Sequence, residues 1–151
     1  MGTALGTFYV RRAVHIAAGP TEVWEDFTTF DRFAAWFDRG HRLLEYAPVV
    51  GGSVRLDVEI DGERRPFGGR VRVFEPAREL TFDDNWEDAP WPAPTFLTFR
   101  LTALYGGTLV ELFHHGFERL GERAGDEHAA YERAWDLKHL LALRARHGQT
   151  D

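Results

Sequence analysis

The side chains best suited to chemistry in this sequence are histidines and carboxylates, and their spacing limits what they can do. His114 and His115 are adjacent at the end of Gly107-Thr108-Leu109-Val110-Glu111-Leu112-Phe113-His114-His115. On a regular strand such neighbours leave opposite faces, so the pair cannot chelate one ion. Val110, Leu112 and His114 instead share a row, which sets one imidazole among apolar side chains. That ring serves either as a core histidine satisfied by the protein or as a hydrogen-bonding group inside a cavity, and the sequence leaves both open. In either place burial favours its neutral form. His128, Glu132, Asp136 and His139 fall on one face of a C-terminal helical pattern. They lack the His-Glu-x-x-His spacing of a helical zinc site and read as a solvated face. Asp83-Asp84 and Glu87-Asp88 read as local charge clusters. Ser53, the single serine, opens a strand without the turn of a nucleophile elbow. Gly51-Gly52, Gly68-Gly69 and Gly106-Gly107 punctuate strands and open no phosphate-binding helix. These patterns point to no catalytic residues, no metal and no cofactor.

The elements that must position these groups follow from hydrophobic periodicity. Phe8 to Ala17 alternates as a first strand, Gly19-Pro20-Thr21-Glu22 opens a short helix, and a second covers Phe30 to Phe37. A strand near His41 to Ala47 precedes Ser53-Val54-Arg55-Leu56-Asp57-Val58-Glu59-Ile60, where the apolar residues point inward. Asp61-Gly62 turns the chain into a strand running to Glu75, on which Val71 and Val73 share a face, and Glu79 to Asp83 follows Pro76. The segment Asn85 to Pro94, with Trp86 and Trp91, is the longest irregular stretch and reads as a cavity cover or as a shelter for a sheet edge. Strands Thr95 to Thr102 and Gly107 to His115 complete an antiparallel sheet. A helix from Asp126 to Arg146 presents Ala130, Ala134, Leu137, Leu141 and Ala145 as its gripping stripe, with Tyr131, Trp135 and Lys138 beside it.

Composition sets outer limits. The chain has 151 residues, of which 44% are hydrophobic, enough for one domain over residues 1–151 with its own core. It contains no cysteine, which excludes disulfides and thiolate chemistry and is compatible with a cytoplasmic location. A formal charge of −6 disfavours nucleic acid as a partner. No apolar run is long enough for stable membrane insertion.

The ordered blocks of sequence resemble the START-like helix-grip (SRPBCC) superfamily, in its Activator of Hsp90 ATPase homologue-like branch. The matching blocks are Val14-His15-Ile16-Ala17-Ala18-Gly19-Pro20-Thr21-Glu22-Val23-Trp24, Ala35-Trp36-Phe37, Val50-Gly51-Gly52-Ser53-Val54, Gly69-Arg70-Val71 with Glu75-Pro76 and Leu80-Thr81-Phe82, Gly107 to Phe117, and Trp135. The resemblance implies an α+β fold: a curved antiparallel sheet of about seven strands wrapped around a long C-terminal helix, with two short helices after the first strand. It also implies a ligand cavity. Members include lipid carriers, plant allergen-like binders, polyketide aromatase/cyclases and a eukaryotic chaperone activator that carries an additional N-terminal domain.

The expectation is thus a non-enzymatic binder of a small hydrophobic molecule, its cavity lined by Trp36, Leu56, Val58, Phe82, Phe99, Leu112, His114 and Trp135. Two alternatives accompany it. One is an aromatase/cyclase-like enzyme in which His114 or an inward arginine guides proton transfer. The other is a co-chaperone-like interaction module that uses the Trp86 and Trp91 loop. The oligomeric state stays open, a homodimer included.

Overall fold

The computed structural model describes residues 3–148. Seven strands form one curved antiparallel sheet: β1 (Tyr9–Ile16), β2 (Arg42–Tyr46), β3 (Ser53–Ile60), β4 (Glu63–Glu75), β5 (Glu79–Trp86), β6 (Thr95–Leu104) and β7 (Gly107–His115). Their spatial order is β1-β7-β6-β5-β4-β3-β2. The helices are α1 (Pro20–Trp24), α2 (Phe30–Phe37), α3 (Ala124–Ala134) and α4 (Lys138–Ala145), with 3-10 turns at Glu25–Phe27 and Phe117–Arg123. The expected α+β helix-grip architecture is present.

Local chemistry accounts for these elements. Pro20 starts α1, where its missing N–H costs nothing. The Thr29 hydroxyl caps α2 by accepting the Arg32 amide at 3.2 Å. Asp61 and Gly62, at φ 52° and 82°, supply the two left-handed positions of a tight β3–β4 hairpin. Further along β4, a Cβ on Gly68 (φ +135°) would lie 2.1 Å from the Val54 carbonyl oxygen, so only glycine allows this close passage between strands.

Two expectations change. Val71 and Val73 do not share a face: Val71 pairs with Phe82 while Val73 pairs with Thr81, because a bulge at this point adds a residue to β4. Val71 therefore enters the core and Val73 lies on the outer face with Thr81. The expected helix from Asp126 to Arg146 is two helices, since Trp135 takes extended dihedrals (φ −72°, ψ 127°). Asp136 favours the break by accepting the Lys138 amide on its carboxylate at 2.9 Å. The break also rephases the gripping face. Leu140 and Leu143 are buried, whereas Ala134, Leu137 and Ala145 face solvent.

Arg12 of β1 holds the break against the sheet. It occupies the same inward row as Val10, Val14 and Ile16, and its guanidinium donates to the Trp135 carbonyl at 2.9 and 3.1 Å and to the Glu132 carbonyl at 2.7 Å. These are carbonyls that the end of a helix leaves without intrahelical partners. At the far end of α4, Arg146 and His147 bond the buried Asp26 carboxylate, each at 2.9 Å, tying the helix to the turn after α1. Between these ties lies an aromatic core. Phe27, Phe33, Trp36, Phe37 and Phe99 interlock with ring centroids 4.8–6.2 Å apart, mostly edge to face.

Arg12→Leu keeps the apolar stem but leaves the helix-end carbonyls without donors. We expect a loss of roughly 1.5–3 kcal/mol in urea-denaturation stability, the range for hydrogen bonds to a charged group. A change below about 0.5 kcal/mol, the usual scatter of surface substitutions, would show that Arg12 does not hold the break.

Candidate functional site

The aromatic core fills only one end of the space between sheet and helices. At the other end lies a cavity of about 370 Å³, within the range of small-molecule sites. β3 contributes Leu56, Val58 and Ile60, β4 Phe67, β5 Phe82 and Asp84, β6 Leu97 and β7 His114. Tyr131, Trp135 and His139 close it from the α3–α4 break, and Phe37 and His41 close it from the turn before β2. Exposed Arg39, Gly40 and Lys138 mark the rim.

Of the eight residues expected to line a cavity, Leu56, Val58, Phe82, His114 and Trp135 border this one. Trp36, Phe99 and Leu112 do not, and are at most 1% exposed within the core. The reason is packing: the Trp36 ring lies 5.1 Å from Phe27 and 5.5 Å from Phe99, and its indole N–H donates to the Asp26 carbonyl at 2.9 Å. An inward position on the sheet thus leads to the core or to the cavity, depending on whether an aromatic of α1 or α2 stands above it.

His114 has no free nitrogen. The Trp135 indole, which can only donate, reaches His114 Nδ1 at 3.0 Å, so the ring proton of the neutral form sits on Nε2. Nε2 then donates to the Thr95 hydroxyl at 2.8 Å, and that hydroxyl donates to the Asp84 carbonyl at 3.1 Å. Burial, followed by the proximity of His115, lowers the His114 pKa to about 3. His114 is the satisfied core histidine of the two open readings, although its edge borders the cavity.

Three polar groups of the cavity wall were not expected from the sequence. Asp84 follows Leu80 and Phe82 on the inward row of β5, so the same alternation that picked out His114 could have found it. Its carboxylate lies 3.4 Å from His114 Nε2. Burial, and then the charge of Asp83, push its pKa up to about 7. Neighbouring Asp83 points to the outer face and is held by Arg72 at 2.6 Å, so neither is a solvated charge. His139, expected on a solvated face, is 3% exposed because the helix break turns it inward. His41 stacks against it, with centroids 4.9 Å apart. The tryptophan loop also faces in: Asn85 Oδ1 accepts the Trp86 and Trp91 amides, each at 2.9 Å, and both indoles border the cavity.

These groups make stability depend on pH in opposite senses. His41 and His114 are held at about 3, His115 and His139 at about 4, all mainly by burial. Unfolded histidines ionise near pH 6.5, so these buried rings cost nothing above about pH 6.5 and increasingly destabilise the fold as the pH falls below it toward their folded values. Asp84 runs the other way: its folded value of about 7 exceeds the unfolded one, so its ionisation costs stability above pH 7 and the cost fades on acidification. Asp84→Asn should therefore raise the urea midpoint at about pH 8 and much less at about pH 5. Equal gains at both would mean that the carboxyl ionises freely.

Comparison with known proteins places this geometry. Residues 17–142 match the family described as Activator of Hsp90 ATPase homolog 1-like protein. No functionally curated protein matches the sequence. A protein from Chromobacterium violaceum has a similar structure, with TM-score 0.71, 22% identity, and coverage of 94% of this chain and 98% of its own. The Aha1 dimer from Colwellia psychrerythraea is similar with TM-score 0.64 at 19% identity, covering 91% of this chain and 94% of that one. DynU16, from the dynemicin biosynthetic locus, matches with TM-score 0.66 and 25% identity over 92% of this chain and 46% of its own length. With the family match extending over most of its length, from just after β1 through the break into α4, the chain belongs to the Activator of Hsp90 ATPase homolog 1-like family.

Proposed function

We propose that this chain binds a small, largely hydrophobic molecule in the cavity between the sheet and the α3–α4 break, without turning it over. The observation that carries the reading is the cavity itself. Protein interiors pack to crystal-like density, yet about 370 Å³ walled by Leu56, Val58, Phe67, Phe82, Leu97 and the indoles is left unfilled. An apolar hollow of this size weakens the fold by the contacts it forgoes, and a ligand that fills it restores them. Leu56, Val58, Phe82 and Trp135 are the proposed apolar contacts.

An aromatase/cyclase-like enzyme is the second reading, and Asp84 is what favours it. A carboxyl with a pKa of about 7 in an apolar wall, 3.4 Å from His114, suits a general base. A structural neighbour, DynU16, comes from a biosynthetic locus. The interaction-module reading has less support, since Trp91 is 7% exposed and turned inward. A homodimer is proposed on the precedent of the dimeric relative. Among the described residues no helix is long and apolar enough to cross a membrane, and a cysteine-free chain suits a cytoplasmic setting.

Val58→Trp tests the ligand reading, because Val58 is only half-buried and a larger side chain there projects into the cavity and spares the core. Titration with the neutral fluorophore N-phenyl-1-naphthylamine should show saturable binding to the parent chain and at least about tenfold weaker binding to the variant, equivalent to about 1.4 kcal/mol, with unchanged unfolding. Equal affinity in the folded variant would move binding away from the cavity. Absence of saturable binding to the parent would count against the reading as a whole.

A further inference from the structure

Two nitrogens in the cavity wall have no partner. His41 Nε2 and His139 Nδ1 are buried side-chain atoms without a hydrogen bond, and both rings border the cavity. A buried polar atom left unpaired is costly, and native folds rarely leave one without reason. The opposite nitrogen of His139 fixes what its free atom is. His139 Nε2 lies 2.7 Å from the Arg39 carbonyl oxygen; a carbonyl can only accept, so Nε2 carries the proton and Nδ1 presents a lone pair. His41 Nε2 is the second unpartnered atom, and on a neutral ring it can take either role, N–H donor or lone-pair acceptor.

Both rings are neutral at physiological pH. Burial lowers His41 to about 3 and His139 to about 4, aided for His41 by the presence of His139 itself. The surroundings preserve that state. Phe37 packs 4.5 Å from His41 and 5.4 Å from His139, and Trp135 lies 5.2 Å from His139. The rim cations lie on the exposed edge, where Arg39 donates to the Asp38 and Ala35 carbonyls and Lys138 pairs with Asp136 at 3.2 Å. Among the described residues no group of three His, Asp or Glu side chains assembles that could hold a metal ion. A hydroxyl delivered from the cavity satisfies both atoms, since its single proton goes to His139 Nδ1 and its oxygen accepts from His41 Nε2–H.

Resting on the reading of the cavity as a ligand site, we propose that its ligand is an uncharged amphipathic molecule whose hydroxyl group donates to His139 Nδ1 and accepts from His41 Nε2, with an apolar body against Phe67, Phe82 and Leu97. The polar anchor is then this pair and not His114, whose nitrogens the protein already fills. An anionic headgroup is the wrong match at the pair: it would face the His139 lone pair and the Asp84 carboxyl in the buried wall, while the cations Arg39 and Lys138 sit on the exposed rim.

The test uses two probes of nearly equal shape, 2-naphthol and its methyl ether 2-methoxynaphthalene, titrated into the full chain and into His41→Phe, His139→Phe and Asp84→Asn. The measured quantity is the ratio of the two dissociation constants in each protein, compared between proteins. This comparison cancels the difference in probe hydrophobicity and any general loss of packing. The parent should favour the naphthol, and that preference should fall by about 3- to 10-fold, the worth of one ordinary hydrogen bond, in His41→Phe, in His139→Phe or in both, while Asp84→Asn keeps it. An unchanged ratio in both histidine variants would overturn the inference, with solvent satisfying the pair. A ratio lost only in Asp84→Asn would overturn it too, and would move the anchor to that carboxyl. In both of these cases the ligand reading survives; failure of both probes to bind the parent would remove that reading and this inference together.

Discussion

The interaction on which the site depends is the grip of Arg12 on the carbonyl ends of α3. A continuous helix from Ala124 to Ala145 would satisfy those carbonyls internally and would carry Trp135 and His139 around the helix axis by its regular turn. The guanidinium takes over the Glu132 and Trp135 carbonyls, Asp136 takes the Lys138 amide, and the backbone is released at Trp135. Three consequences follow from that one break. The Trp135 indole reaches His114 Nδ1, His139 turns into the cavity, and α4 starts on a new phase that buries Leu140 and Leu143. A charged residue in an inward row is costly unless paired, and here its pairing shapes the cavity roof.

Alternation made the sheet legible in the sequence. β3, β6 and β7 have a strict period of two, and their inward rows of Val54 and Leu56, of Leu97 and Phe99, and of Val110 and Leu112 are those expected. The miss at Val73 marks the limit of that method, because a bulge shifts the face by one residue without a compositional signal. The helix break was less legible still. Ala, Glu, Leu, Lys and Arg from Asp126 onward all favour helix, and what interrupts it is a tertiary contact from Arg12, more than a hundred positions away. Local periodicity contains no trace of such a partner. His139 was misplaced for this reason, while Asp84 was misread because adjacency to Asp83 suggested a solvated pair when alternation sends the two side chains to opposite faces.

The outer face shows that a polar side chain buried on this sheet is not by itself a site. His115 bonds Thr98 at 2.8 Å, Thr98 bonds Thr81 at 2.7 Å, and Thr81 donates to Glu79 at 2.8 Å. Arg100 donates to the same Glu79 carboxylate at 3.2 Å, and the Thr3 amide donates to it at the same distance. Every member of this seam has a protein partner, which is how buried polar networks contribute order to a fold. The contrast with His41 and His139 is chemical. Both places bury imidazoles, but among the described residues only the cavity leaves imidazole nitrogens without partners.

Division of labour in the space between sheet and helices explains how a shared fold leaves the character of the cavity open. The end packed by Phe27, Phe33, Trp36 and Phe99 consists of interlocked rings with exposures near zero, where any change of volume is felt as lost packing. The other end is bounded by the Phe37–His41 turn, the Asn85-pinned tryptophan loop and the α3–α4 break, segments whose side chains border empty space and can change size or polarity at little cost to the core. Fold similarity at 15–25% identity therefore says little about what the second end can hold. In the proposed reading the few polar atoms at that second end, on His41, His139 and Asp84, select the class of partner, and a change at any one of them alters that choice.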